Sequence, residues 1–177
     1  MSIWFTSDTH FGHANIIKFQ GRPFSSAIEM DEAIITNWNK CVKPNDKVYH
    51  LGDFSFDKRP DIVARRLNGR KYLIRGNHDH FKQSHLMHPF FEWVKDYHTL
   101  KANKQKFILF HYPIRNWHHC YKGTIHLFGH SHGGSPDYGR STDVGVDCWD
   151  FSPVHIDTII DYMRNKPSIE HHVERGS

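Results

Sequence analysis

The sequence predicts an α/β fold, and three observations carry that expectation. Short apolar runs alternate with amphipathic segments along the whole 177-residue chain, the pattern of strands interleaved with helices. Five of those runs end in Asp, His or Asn, and in α/β sheets functional groups gather at the strands' C-terminal edge. No repeat, low-complexity tract or Gly/Ser-rich linker divides the chain. Its length suits one domain, expected over residues 1–166, with 167–177 as a flexible C-terminal tail.

Each element has its own local pattern. Ile3 to Thr6 is the first strand. Glu29 to Lys40 sets Ile34, Ile35 and Trp38 at helical spacing, and Lys43-Pro44-Asn45-Asp46 breaks that helix. Lys47 to Leu51 is a second strand, and Asp61 to Leu67 a helix closed by Asn68-Gly69. Further strands are expected at Lys71 to Ile74, Phe107 to Phe110 and Thr124 to Phe128, with weaker patterns at Trp93 to Leu100 and Thr142 to Val146. His155 to Arg164 reads as a closing helix.

Composition removes several classes. With 38% hydrophobic and 14% aromatic residues and a net charge of only +4, the chain can fill a core and is not disordered. No apolar run approaches the roughly 20 residues of a membrane span. The opening Met1-Ser2-Ile3-Trp4-Phe5 reads as a strand rather than a secretory signal. Cys41, Cys120 and Cys148 are odd in number and widely spaced, which fits a reducing, cytoplasmic compartment rather than a disulfide framework. The anomaly is 17 histidines.

Many of them sit just past the ends of the strands. The first strand leads into Ser7-Asp8-Thr9-His10, the second into Gly52-Asp53, and the third into Gly76-Asn77-His78-Asp79. The next two end in His111 and in Gly129-His130-Ser131-His132. Turn and capping preferences explain any one of these positions, but not five in order. Asp, His and Asn are oxygen and nitrogen donors that suit manganese, iron, zinc or nickel. Asp8, His10, Asp53, Asn77, His111, His130 and His132 are too many donors for one tetrahedral ion. Two divalent ions about 3.5–4 Å apart, sharing a carboxylate, would use them. Such a centre stays net positive and attracts a phosphoryl group. A hydroxide activated by both ions would attack phosphorus in line. His78 is placed to protonate the leaving oxygen, with Asp79 to orient it.

The ordered set Asp8-x-His10, Gly52-Asp53, Gly76-Asn77-His78-Asp79, His111 and Gly129-His130-x-His132 resembles the calcineurin-like metallophosphoesterase superfamily. The stretches from Asp8 to Ile17, Arg22-Pro23-Phe24 and Val144 to Trp149 are similar to its short, uncapped phage and bacterial members. The resemblance implies a four-layer α/β sandwich, with two facing mixed β-sheets flanked by helices. It also implies that Asp8, His10 and His132 bind one ion, Asn77, His111 and His130 the other, and that Asp53 bridges them. Manganese is the first expectation for both ions. Many larger relatives continue Gly-Asp with x-x-Asp, whereas Asp57 comes one position late and receives no role.

The expected activity is hydrolysis of a phosphodiester or a small nucleotide phosphoester, with no membrane partner; the pattern is silent on oligomeric state. His13 and Arg22 are candidates for contacting substrate phosphate, and Arg22 could equally anchor the loop before Pro23. A nuclease acting on polymeric nucleic acid is the alternative, given the basic stretch from Lys58 to Arg75. A non-catalytic binding module is the third reading, and it would be expected to lack ligands. His50, His80, His85, His88, His118, His119 and His126 are expected to be structural or solvated, and His171-His172 to lie in the tail.

Overall fold

The structure, a computed structural model, describes residues 1–79 and 88–170. In chain order the strands are β1 (Ile3–Thr6), β2 (Lys47–His50), β3 (Arg70–Ile74), β4 (Phe91–Lys95), β5 (Tyr97–Ala102), β6 (Gln105–Phe110), β7 (Ile125–Phe128), β8 (Ser141–Asp143) and β9 (Val154–His155). The helices are α1 (Ala14–Gln20), α2 (Ala27–Cys41), α3 (Pro60–Arg66) and α4 (Ile156–Met163). One sheet has the order β4-β3-β2-β1-β9 and the other β5-β6-β7-β8. Both are mixed: β9 runs antiparallel to β1, and β5 antiparallel to β6.

The two-residue period of a strand explains the layering. Phe5, Tyr49, Leu51, Tyr72 and Ile74 meet Phe107, Leu109, Ile125 and Leu127 in a core between the sheets. The alternate residues Val48 and Leu73 face outward onto Met30, Ile34, Ile35 and Trp38 of α2 and Ala64 of α3. On the far side, Ile108 packs against Trp117 and Cys120, with Ile114 and Ile169 beside them. Strands buried on both faces read as continuous apolar runs, which is why they stand out in the sequence.

Local chemistry sets the helix ends. Ser26 caps α2 by accepting from the Glu29 amide, and Glu29 accepts from the Ser25 amide. Pro60 opens α3, and Gly21 closes α1 in the left-handed region.

Three sequence expectations change. The single strand over 93–100 is two strands, β4 and β5, in different sheets and separated by Asp96. The pattern over 142–146 yields only β8, with a 3₁₀ turn after it at Val146–Cys148. The closing helix starts after β9, a two-residue strand, and the local pattern signals neither β9 nor α1. His50 and His126 are fully buried in the fold; His80, His85 and the His171-His172 pair lie outside the described residues. Trp117 is buried with its indole N–H on the Thr124 carbonyl, so it offers no open face.

Candidate metal centre

The loops after β1, β2 and β3 converge on those after β6 and β7. Backbone bonds lace them: Asp8 N–H to Gly52 O at 2.9 Å, His10 N–H to Asp53 O at 3.0 Å, and Gly129 N–H to His111 O at 2.9 Å. Two glycines permit the approach. A Cβ on Gly76 would collide with Asp53, and one on Gly129 with Ser7 and Asp8.

This convergence builds two donor groups. Asp8, His10 and His132 form one, and Asp53, His111 and His130 the other, with ligand atoms within 4.8 Å of one another in each. Asn77 joins the second, its Oδ1 2.9 Å from His111 Nε2. Asp53 Oδ2 lies 3.7 Å from His10 Nε2 and 3.6 Å from His111 Nε2, so it reaches both groups. All seven expected ligands are therefore together. Two donors each about 2.1 Å from a shared ion stand roughly 3–4 Å apart, which these spacings match.

Ligand orientation also fits. Each aspartate gives one oxygen to a backbone amide: Asp8 Oδ2 accepts from His130 N–H, and Asp53 Oδ1 from His78 N–H. Asp8 Oδ1 and His10 Nε2 are buried without any hydrogen-bond partner, 3.8 Å apart. Buried polar atoms are rarely left so, and a cation between them would satisfy both. Three imidazoles have Nδ1 engaged: His10 by His13 at 3.3 Å, His111 by Leu51 O at 2.7 Å, and His132 by Asp147 at 2.7 Å. That leaves Nε2 for an ion and fixes the ring.

The electrostatics are those of a site built for positive charge. Burial pushes the Asp8 carboxyl up to about 8, against the pull of His132. Burial and the neighbouring His132 and Arg22 hold His10 down at about 2, an imidazole kept neutral for ligation. Burial opposes charge on His132 too, but its bond to Asp147 and the Asp8 carboxylate raise its pKa.

The backbone is strained where the ligands sit. Asp8, His10, Asp53, His130 and His132 all have φ between 47° and 67°, a left-handed conformation uncommon outside glycine and a recurrent mark of functional sites.

A sequence profile for the calcineurin-like phosphoesterase superfamily domain matches residues 1–143. The chain belongs to the calcineurin-like phosphoesterase superfamily. An uncharacterized protein of Methanocaldococcus jannaschii is 36% identical over 169 residues, covering 89% of each chain. The Gene 66 protein of Mycobacterium phage D29 is 28% identical, covering 84% of this chain and 89% of its own. A protein of unknown function from Aquifex aeolicus has a solved structure with TM-score 0.74 and 26% identity. The match covers 91% of this chain and 98% of that one. Membership supports a metal-dependent phosphoesterase as the general class.

Within this phosphoesterase site, one expectation is corrected. Of the two roles expected for Arg22, its 4% exposure rules against phosphate contact and leaves the loop anchor. Its guanidinium donates to both oxygens of Asp147, to the Asp8 and Thr9 carbonyls and to the Met30 sulfur. Five N–H groups meet five acceptors, so Arg22 anchors the loop. Asp79, expected to orient His78, accepts from the backbone amides of Asp53, Phe54 and Gly76 and so braces the loops of the centre. His13 sits at the rim with Nδ1 on the ligand His10. His78 is exposed, its ring 5.8 Å from that of His10.

Two residues that the sequence pattern leaves without a role support the ligands. Asp147 joins Arg22 to His132. Asp143 accepts from Ser131 Oγ and from the Gly133 and Gly145 amides, holding the loop that carries His130 and His132. No local signal marks Asp147, because its partner Arg22 lies 125 positions away.

Proposed function

We propose that the protein hydrolyses a phosphodiester or a small nucleotide phosphoester, with His78 as the general acid. The observation that carries this is the pair of donor groups joined through Asp53. Divalent ions bound there would lower the pKa of a water and hold the phosphoryl oxygens. The oxygen and imidazole donors suit manganese first, and iron, zinc or nickel as well. The chain's own residues do the rest. Asp53 and Asp8 hold the centre with one oxygen each, while backbone amides fix the other oxygen. The His78 amide is tied to Asp53, and its side chain is exposed to solvent beside His10. That is where a proton can be delivered to a leaving oxygen and replaced from water.

The basic stretch gives little support to a nucleic-acid groove. Arg59 pairs with Asp61 at 2.8 Å, Arg66 with Glu32 at 2.6 Å and Arg70 with Glu92 at 3.0 Å. Lys71 is buried, bonding the Leu67 and Gly69 carbonyls. Cations already matched by carboxylates and carbonyls release few counterions on binding a phosphate backbone.

Metal analysis coupled to an ester panel tests the reading. His78→Gln should lower turnover by roughly a hundredfold or more with metal content nearly intact, and Asp53→Asn should lose both metal and activity. Equal metal loss in the two variants would make His78 a ligand rather than an acid.

A further inference from the structure

Among the described residues, two large aromatic rings stand at the rim of the centre, and ligation requires neither. Phe56, in the loop after β2, is 40% exposed. It stacks on His13 with ring centroids 3.8 Å apart, and lies 5.3 Å from His10 and 4.7 Å from His78. Tyr112, in the loop after β6, is 38% exposed and stands edge-on to His130 at 4.7 Å and His111 at 5.0 Å. Each ring thus borders a different donor group. His13 covers one face of Phe56, and the aromatic surface that both rings leave in water beside an anion site is what a planar ring would cover.

We propose that Phe56 and Tyr112 are two ring-binding subsites for a phosphodiester bearing planar groups such as nucleobases. Phe56 receives the leaving group, and Tyr112 the substituent retained on phosphorus. The assignment rests on His78 being the acid. Water forms the new P–O bond and loses a proton. The old P–O bond breaks with its electron pair on the departing oxygen, which takes the proton of His78. The departing group therefore leaves on the His78 side, where Phe56 is the neighbouring ring. Tyr112 borders the other donor group, and the proposal sets the retained substituent against it. A monoester has no such substituent, so the second ring favours diesters.

The test compares two esters that release the same nitrophenol, methyl 4-nitrophenyl phosphate and thymidine 5′-(4-nitrophenyl) phosphate, with metal-loaded protein. Wild type should prefer the thymidine ester. Tyr112→Ala should cancel that preference, lowering kcat/KM for the thymidine ester roughly five- to a hundredfold more than for the methyl ester, the range lost when a stacked base loses its partner. Tyr112→Phe should keep it. Phe56→Ala should slow both esters by a similar factor, and Phe56→Trp should restore them. A preference that survives Tyr112→Ala overturns the proposal. So does a Phe56→Ala defect that tracks lost metal, since Phe56 would then only support His13 and His10.

If wild type splits neither ester, the hydrolase reading fails, and calorimetry decides the subsites separately. Thymidine 5′-monophosphate should bind more tightly than inorganic phosphate, and the Phe56→Ala, Tyr112→Ala double variant should erase the difference. Equal affinities in wild type overturn the subsites.

Discussion

Arg22 has five N–H donors and the fold engages every one, which makes its carboxylate partner the most exacting residue near the centre. Asp147 accepts two of those bonds at 2.8 Å and a third from His132 Nδ1 at 2.7 Å. An amide in its place presents an NH₂ group to at least one donor. Asp147→Asn therefore leaves a buried guanidinium partly unmatched and frees the His132 ring. Losing one partner of a buried pair costs about 3–5 kcal/mol, and loosening a ligand's support lowers metal affinity about 10–100-fold. Urea unfolding and metal titration should show both losses, with the affinity loss confined to the donor group of Asp8, His10 and His132; unaltered titration would remove Asp147 from the centre's support. The candidate metal ligands are legible in the sequence because each loop that carries them follows an apolar run. Asp147 is not, because its role exists only when residues 125 positions apart meet.

The turns at the strand ends carry the ligands in a conformation their side chains disfavour. For an L-residue, the left-handed region costs roughly 1–2 kcal/mol, a penalty glycine escapes. His130 is the cleanest place to measure this. It has φ 67° and is exposed, and its amide rather than its ring holds Asp8. His130→Gly should be more stable than His130→Ala by about 1 kcal/mol, the reverse of the order at an ordinary helix position. Both variants should lose the same ligand, so urea midpoints differ while metal content does not. An alanine variant as stable as the glycine variant would mean the turn relaxes and stores no strain. Such turns are invisible in sequence, where Asp and His give no sign of their φ. The split of the 93–100 pattern is invisible for a related reason. Aromatic and β-branched residues continue on both sides of Asp96, and only the choice of partners, β3 for one strand and β6 for the other, separates them.

Across the whole molecule the centre is a clasp between two sheets. Asp8, His10, Asp53 and Asn77 come after strands of the first, and His111, His130 and His132 after strands of the second. Alternating apolar runs make each strand legible, but no local pattern tells which strands will face one another. An ion bound only by the folded state stabilises it by about 2.7 kcal/mol at a hundredfold excess over Kd, and this gain must depend on pH. In the metal-free fold, burial raises the Asp8 carboxyl from 3.8 to about 8, so the native state holds a proton there that the unfolded chain has released. Asp8 thus favours the metal-free fold below pH 4, and that contribution drains away as pH rises toward 8. Ligation needs the carboxylate, and it also needs the neutral ring of His132, whose pKa is raised by Asp147 and Asp8 despite burial. Metal binding therefore expels at least one proton below pH 8, and affinity should rise about tenfold per pH unit for each. Urea unfolding with manganese and with chelator, at pH 6, 7 and 8, should show the gap between the two curves widening by about 1.4 kcal/mol per unit for each proton. A gap constant over that range would mean that Asp8 is already ionised before the metal arrives, and that its buried, unpartnered oxygen is stabilised by something other than an ion.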